Sequence, residues 1–194
     1  MVGRILAIDP GSSMTGWVLV DDDGAVLAHG KDPNEQLVRD LHDRRLPGPL
    51  ALTAEVAVLE FMSPRGMTTS EHEFDALWWG GRITEALVRA AVPVERVSRE
   101  EVKFVLLGKH GVPKADAAIR SILIDRYAAG GGKEAAIGTK AHPGPLYGVK
   151  ADEWAALAVA CAWRDDARDI VQERKERAEK KRAEKARRAG RAAA

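Results

Sequence analysis

The chain has 194 residues, 45% of them hydrophobic and 30% charged, with a formal net charge of +1. That length suits one α/β domain plus a tail, and the apolar fraction excludes a disordered scaffold. Its single cysteine, Cys161, excludes an internal disulfide framework and fits a reducing compartment.

Residues 4–9 form a short apolar run that ends on an acid and is closed by Pro10-Gly11; the pattern predicts a strand buried on both faces. The run is too short for a signal peptide or a membrane helix, so the expectation is a soluble, cytoplasmic protein without a membrane partner. Residues 15–20 and 25–29 read as two further strands joined by the turn Asp21-Asp22-Asp23-Gly24, giving an antiparallel meander. Leu37, Val38 and Leu41 set helical spacing over residues 34–45, and Pro47-Gly48-Pro49 breaks it. Residues 52–61 read as a fourth strand and 69–91 as a long helix capped by Thr69 or Ser70. A fifth strand spans 92–97, and Ser98 with Glu101 forms a capping box that opens a helix stopped at Gly108. A helix over 113–127, a loop of about 19 residues over 130–148, and an apolar helix over 152–163 complete the body. This order predicts a mixed sheet of five strands, the first three antiparallel, with helices on both faces. Residues 1–164 would form that domain and 165–194 a charged helical tail.

The tail concentrates the charge. Residues 174–191 hold ten Lys/Arg against three Glu, a net of +7, which leaves −6 on the remainder of a chain whose total is +1. An acidic body with a basic tail fits an acidic catalytic site combined with local cationic contacts to phosphate, and the tail itself suits counterion-releasing contact with DNA.

Three acids interrupt apolar segments at element ends. Asp9 is costly inside a strand without a partner or a cation, and the small residues that follow it leave room for a ligand. The plainer alternative is an acid capping a turn. Glu60 breaks the apolar run Val58-Leu59 in the same manner, and Glu55, five residues away, faces the other side of the sheet. Asp152 opens the last apolar helix, where an N-cap is the ordinary role. Carboxylates that converge repel unless a cation lies between them, so the three together suit Mg²⁺ or Mn²⁺, one or two ions, for phosphodiester hydrolysis. Lys103, Lys140, His142 and Lys150 are candidate contacts to the scissile phosphate, and Ser12, Lys109 and Lys114 are further candidate DNA contacts. Phe61, Met62, Arg65 and Met67 follow Glu60 in a loop where Phe61 can stack on a base. Trp78 and Trp79 are adjacent and cannot both face one core, which frees one for a dimer interface.

In order along the chain, these segments resemble the RuvC-type Holliday junction resolvases of the RNase H-like superfamily. Residues 4–20, with Asp9-Pro10-Gly11-Ser12 and Thr15-Gly16, resemble the family's opening, whose Asp binds metal. Glu60-Phe61-Met62 resembles its second acid, the helix containing Gly80-Gly81-Arg82 its long helix, and Pro93-Val94 with Arg99-Glu100-Glu101-Val102-Lys103 the next strand and helix. The resemblance covers residues 4–163 and implies a homodimeric, divalent-metal endonuclease that nicks four-way DNA junctions in pairs, with Asp9, Glu60 and Asp152 as metal ligands. It departs at the last helix, which in the family opens with two metal-site residues three apart; here the positions three before and three after Asp152 are Val149 and Ala155. The run Asp152-Glu153-Trp154-Ala155-Ala156 is closer to the last motif of RuvC domains in CRISPR effectors and transposon-encoded nucleases, leaving Glu153 or His142 as a fourth ligand. The departure implies a phage or otherwise divergent version, working in a bacterial or phage-infected cell.

Three other readings compete. A nuclease of the same chemistry can act on flaps, forks or RNA–DNA hybrids. A non-catalytic module can grip branched DNA. An actin-like phosphotransferase fragment shares the strand–turn–strand opening, but the chain has no room for the second similar domain such enzymes need.

Overall fold

The computed structural model describes residues 3–43, 54–62, 70–108 and 115–192, with side chains through residue 183 in the last helix. Strands β1 (Ile5–Pro10), β2 (Met14–Val20), β3 (Val26–Pro33), β4 (Val56–Phe61) and β5 (Val94–Ser98) form one five-stranded sheet in the order β3-β2-β1-β4-β5. Strands β1, β2 and β3 pair antiparallel, whereas β1–β4 and β4–β5 are parallel. This is the mixed sheet that the sequence predicts.

Alternation along the strands divides the core in two. Ile5, Ala7, Val18, Val20, Val58 and Val97 point to one face, and pack there with α3 (Arg99–Leu107), α4 (Ala115–Tyr127) and α6 (Glu153–Ala162). Leu6, Ile8, Trp17, Leu19, Ala57 and Leu59 point to the other, under α1 (Asn34–His42) and α2 (Glu71–Arg89). Helix α6 is apolar all round because it is buried on nearly every side. The predicted capping box of Ser98 with Glu101 opens α3, which Gly108 closes in the left-handed conformation; of the two cap candidates for α2, Ser70 is the N-cap, and it forms a second box with Glu73.

Two segments differ from the sequence reading. The glycine-rich stretch 130–148 is not loop throughout; it contains a short helix, α5 (Gly132–Ile137), and an antiparallel bridge between Gly138 and Pro143. Strand β3 continues to Pro33, four residues past its expected end, because β2 supplies partners as far as Met14.

The C-terminal region does not leave the body where the apolar helix ends. A π-helical turn, Trp163–Ala167, joins α6 to α7 (Arg168–Ala192), and Ala167 and Val171 are still buried. Arg174 then bonds both carboxylate oxygens of Glu101 at 2.6–2.7 Å and donates to the Arg96 carbonyl at 2.7 Å, while Lys175 pairs with Glu95 at 2.6 Å. These contacts carry the body through Lys175 and cover the outer edge of β5. No helix among the described residues is long and apolar enough to cross a membrane.

Candidate active site

The sheet register brings the acids together. Ile8 lies opposite Leu59 in the parallel β1–β4 pair, so the next residues, Asp9 and Glu60, are neighbours. Both share the parity of Ala7 and Val58 and face α6. Asp9 is also opposite Gly16 in β2, and the first turn of α6 sits directly on that glycine: a Cβ there would lie 2.7 Å from the Asp152 carbonyl and 3.0 Å from its Cβ. The absence of a side chain at Gly16 is what lets Asp152 approach Asp9.

The turn after Asp9 is fixed by Asn34, a buried polar residue at the start of α1. Asn34 accepts from the Thr15 hydroxyl at 2.7 Å, donates to the Gly11 carbonyl at 2.9 Å, and its backbone N–H donates to the Ser13 carbonyl at 3.0 Å. With its polar atoms partnered in this way, Asn34 favours a single loop conformation.

Asp9, Glu60 and Asp152 line one cleft of about 280 Å³, together with Arg99, Asp116, Arg120, Trp154 and Ala155. Asp152 occupies the N-cap position of α6, yet its side chain makes no capping bond; it pairs with Lys31 at 2.7 Å. Its carboxylate is therefore open to the cleft and is not consumed as a cap. Glu60 pairs with Arg99 at 3.1 Å, and Arg99 also pairs with Asp116.

Asp9 makes no direct ion pair among the described residues. Burial pushes its carboxyl up to about 7; Glu60 and then Asp152 add to the rise, while Arg99 and Lys31 oppose it from a distance. Burial also raises the Glu60 carboxyl, against the pull of Arg99. Burial works against the charge on Arg99, but Glu60 and Asp116 hold it firmly protonated. With four carboxylates, Asp9, Glu60, Asp116 and Asp152, against two guanidinium groups, Arg99 and Arg120, the cleft lining is short of positive charge.

That shortage fits a divalent cation. The donors are carboxylate oxygens, the hard ligands that Mg²⁺ and Mn²⁺ take. Among the described residues, no three His, Cys, Asp or Glu side chains stand close enough to hold an ion as placed, because Glu60 leans to Arg99 and Asp152 to Lys31.

The remaining sequence candidates fall differently. Glu153 is turned away from the cleft: it is buried and pairs with His29 Nδ1 at 2.8 Å and accepts from the Lys150 N–H at 3.0 Å. The fourth carboxylate on the cleft is Asp116, which sequence reasoning does not single out. His142 sits on the exposed 139–143 turn. Val149 belongs to the core, whereas Ala155 lines the cleft. Ser12 lies in the turn after Asp9, and Lys103 pairs with Glu100 at 3.3 Å while still bearing on Glu60. Lys140 and Lys150 are exposed. Phe61 is flanked by two guanidinium groups, Arg174 at 5.1 Å and Arg96 at 5.5 Å from its ring. Glu55 bonds the Gly3 N–H at the far end of β4. Arg65, Met67, Lys109 and Lys114 lie outside the described residues.

Several groups in or beside the cleft carry no signal in the sequence. Lys31 is hidden in the polar end of β3, and Arg99 and Arg120 are ordinary surface-helix residues until the tertiary fold places them. Arg120 stacks over Trp154 at 4.6 Å, and the Trp154 indole N–H is a buried donor with no acceptor among the described residues.

Neither protein-family models nor curated proteins match the sequence. Solved structures do match the fold. It is similar to Thermus thermophilus RuvC in complex with a Holliday junction substrate, with a TM-score of 0.58 and 23% identity over 87% of this chain and 97% of that one. A second T. thermophilus RuvC structure has a TM-score of 0.55 at 22% identity over the same shares. The chain has the RuvC-type, RNase H-like fold.

Proposed function

We propose that this protein is a divalent-metal-dependent endonuclease that nicks branched DNA, four-way junctions foremost. The observation that carries the reading is the convergence of Asp9, Glu60 and Asp152, from β1, β4 and the start of α6, on one cleft whose lining is short of positive charge. Support comes also from the fold, which is similar to that of a protein solved with a Holliday junction substrate.

Asp9, Glu60 and Asp152 would hold Mg²⁺ or Mn²⁺. When bound, the metal supplies activation of a water for attack on phosphorus and stabilisation of the leaving oxygen. The protein's part is positional. Asn34 and Gly16 hold Asp9 and Asp152 at one end of the sheet. Arg99 and Arg120 flank the same cleft, where a guanidinium can grip a non-bridging phosphate oxygen. Lys31 and Arg99 pair with Asp152 and Glu60 and offset part of their charge.

The exposed apolar face of α2, with Phe74, Leu77, Trp78 and Val88, fits a second copy of the chain. A two-fold dimer would present two cleft acids to two like strands of a junction.

The reading is tested by cleavage of a labelled four-way junction beside a linear duplex, a flap and an RNA–DNA hybrid, in Mg²⁺, Mn²⁺ and EDTA. Paired, metal-dependent nicks on the junction are expected. Cutting of flaps or hybrids alone would replace the substrate, and tight junction binding without cutting of any substrate would leave a binding module.

A further inference from the structure

We infer that α7 beyond Lys175 is a cationic arm that lies along the phosphate backbone of a DNA duplex running out from the cleft. The identity of the duplex rests on the nuclease reading above; the arm's affinity for phosphate backbone does not.

The body needs such a device. It carries −6 outside residues 174–191, and its cleft adds carboxylates where the scissile phosphate must come. A polyanion approaches an acidic site only if cations elsewhere offset the repulsion.

The base of α7 is fixed beside the cleft. Arg174 stacks on Phe61, the residue after Glu60, and grips Glu101, two residues from Arg99. With Lys175 on Glu95, the first two cations of the basic run are committed to holding the helix in place. Their role is orientation, and the DNA-binding charge must come from further along.

Beyond Lys175 there are eight Lys/Arg against three Glu. Helical register sorts them. Positions 177, 181, 185 and 188 recur at spacings of four, four and three, and 180, 187 and 191 flank that stripe. Seven of the eight cations therefore share about half the helix circumference, against one acid, Glu184. Arg182 alone lies on the other half, where positions 178, 183, 186 and 189 are Ala. A tail that served only solubility would gain nothing from this sorting.

Glu173 pairs with Arg177 at 3.0 Å, a Glu-before-cation pair four apart that supports the helix at this point. Such exposed pairs are weak and yield readily to phosphate. At about 1.5 Å per residue the arm extends roughly 25 Å past Lys175, most of one turn of duplex. Residues 176–192 contain no side chain larger than Ala among their apolar positions, so the arm has nothing to insert into a lipid surface.

The test compares two adjacent substitutions that remove equal charge, Lys181→Gln and Arg182→Gln, by anisotropy titration of a labelled junction and a plain duplex in EDTA across a salt series. Lys181→Gln is expected to lower the slope of log affinity against log salt by about one on both DNAs, and Arg182→Gln to leave it unchanged. The combined variant R177Q/K181Q/K185Q/R188Q is expected to lower it by about four. Equal effects from Lys181 and Arg182, or an unchanged slope in the combined variant, would overturn the arm. If the wild type cuts no DNA but these slopes still separate, the arm stands and the nuclease reading falls.

Discussion

Asp9 is the residue on which the site turns, and its chemistry is measurable without any substrate. In the metal-free protein its carboxyl is pushed from 3.8 to about 7, so the folded state binds that proton more tightly than the unfolded chain. The linkage follows directly: the contribution is fully present below pH ~4 and is lost as pH rises through ~7. At about 1.4 kcal/mol for each tenfold change in proton affinity, the loss is on the order of a few kcal/mol. In EDTA, wild-type stability should therefore fall between pH 4 and 8 relative to Asp9→Asn, which becomes the more stable of the two at pH 8. Denaturant unfolding across that range checks it; parallel curves would show that Asp9 is not starved of positive charge. Ala155 offers a complementary change. It lines the cleft three residues after Asp152, where the resembled family carries its second carboxylate. Ala155→Asp should bind Mn²⁺ several-fold more tightly in a calorimetric titration and be less stable without metal, since a further like charge enters the cleft. Weaker Mn²⁺ binding would place the ion elsewhere. The three acids are legible in the sequence because an acid interrupting an apolar run is physically conspicuous. Lys31, Arg99 and Asp116 are not, because a surface-type residue becomes a site residue only through its tertiary partner.

At the scale of elements, the apolar and polar faces of α2 are set by its position over the sheet. Ile83, Ala86 and Leu87 bury inward, while Phe74, Leu77, Trp78 and Val88 remain exposed. Trp79 packs against the core, and Trp78 meets it edge-on at 4.6 Å from outside, so the adjacent tryptophans divide as the sequence requires. If α2 meets a second copy, Trp78→Glu should convert a dimer to a monomer in sedimentation experiments while leaving thermal unfolding of the monomer nearly unchanged. A wild type that is already monomeric at high concentration would remove this interface. Element ends marked by local chemistry are readable, notably the cap of α2 at Thr69 or Ser70, the capping box at Ser98 and the glycine stop at Gly108. The end of β3 is not. Gly30, Lys31 and Asp32 have no strand signature, and only pairing with β2 keeps them extended. The helix inside 130–148 is hidden for a similar reason: its N-terminal glycines read as loop, and tertiary packing of Ala136 holds it.

Across the whole molecule, the sheet order makes Asp9 and Glu60 neighbours, and the packing of α6 on Gly16 brings Asp152 to the same cleft. The antiparallel meander is legible because its turns are local; the parallel β1–β4 and β4–β5 pairings depend on long connections, and the sequence shows only that the later strands alternate with helices. Charge is divided on the same scale, with an acidic body holding the cleft and a basic helix anchored beside it. Both features serve one account, in which the cleft hydrolyses a DNA phosphodiester with the help of a metal. The most direct test is to measure junction binding and Mg²⁺-dependent junction cleavage side by side for wild type and Asp9→Asn. The account predicts that the variant binds the junction and that its cleavage falls to background. Full cleavage by the variant would contradict the assignment of the site.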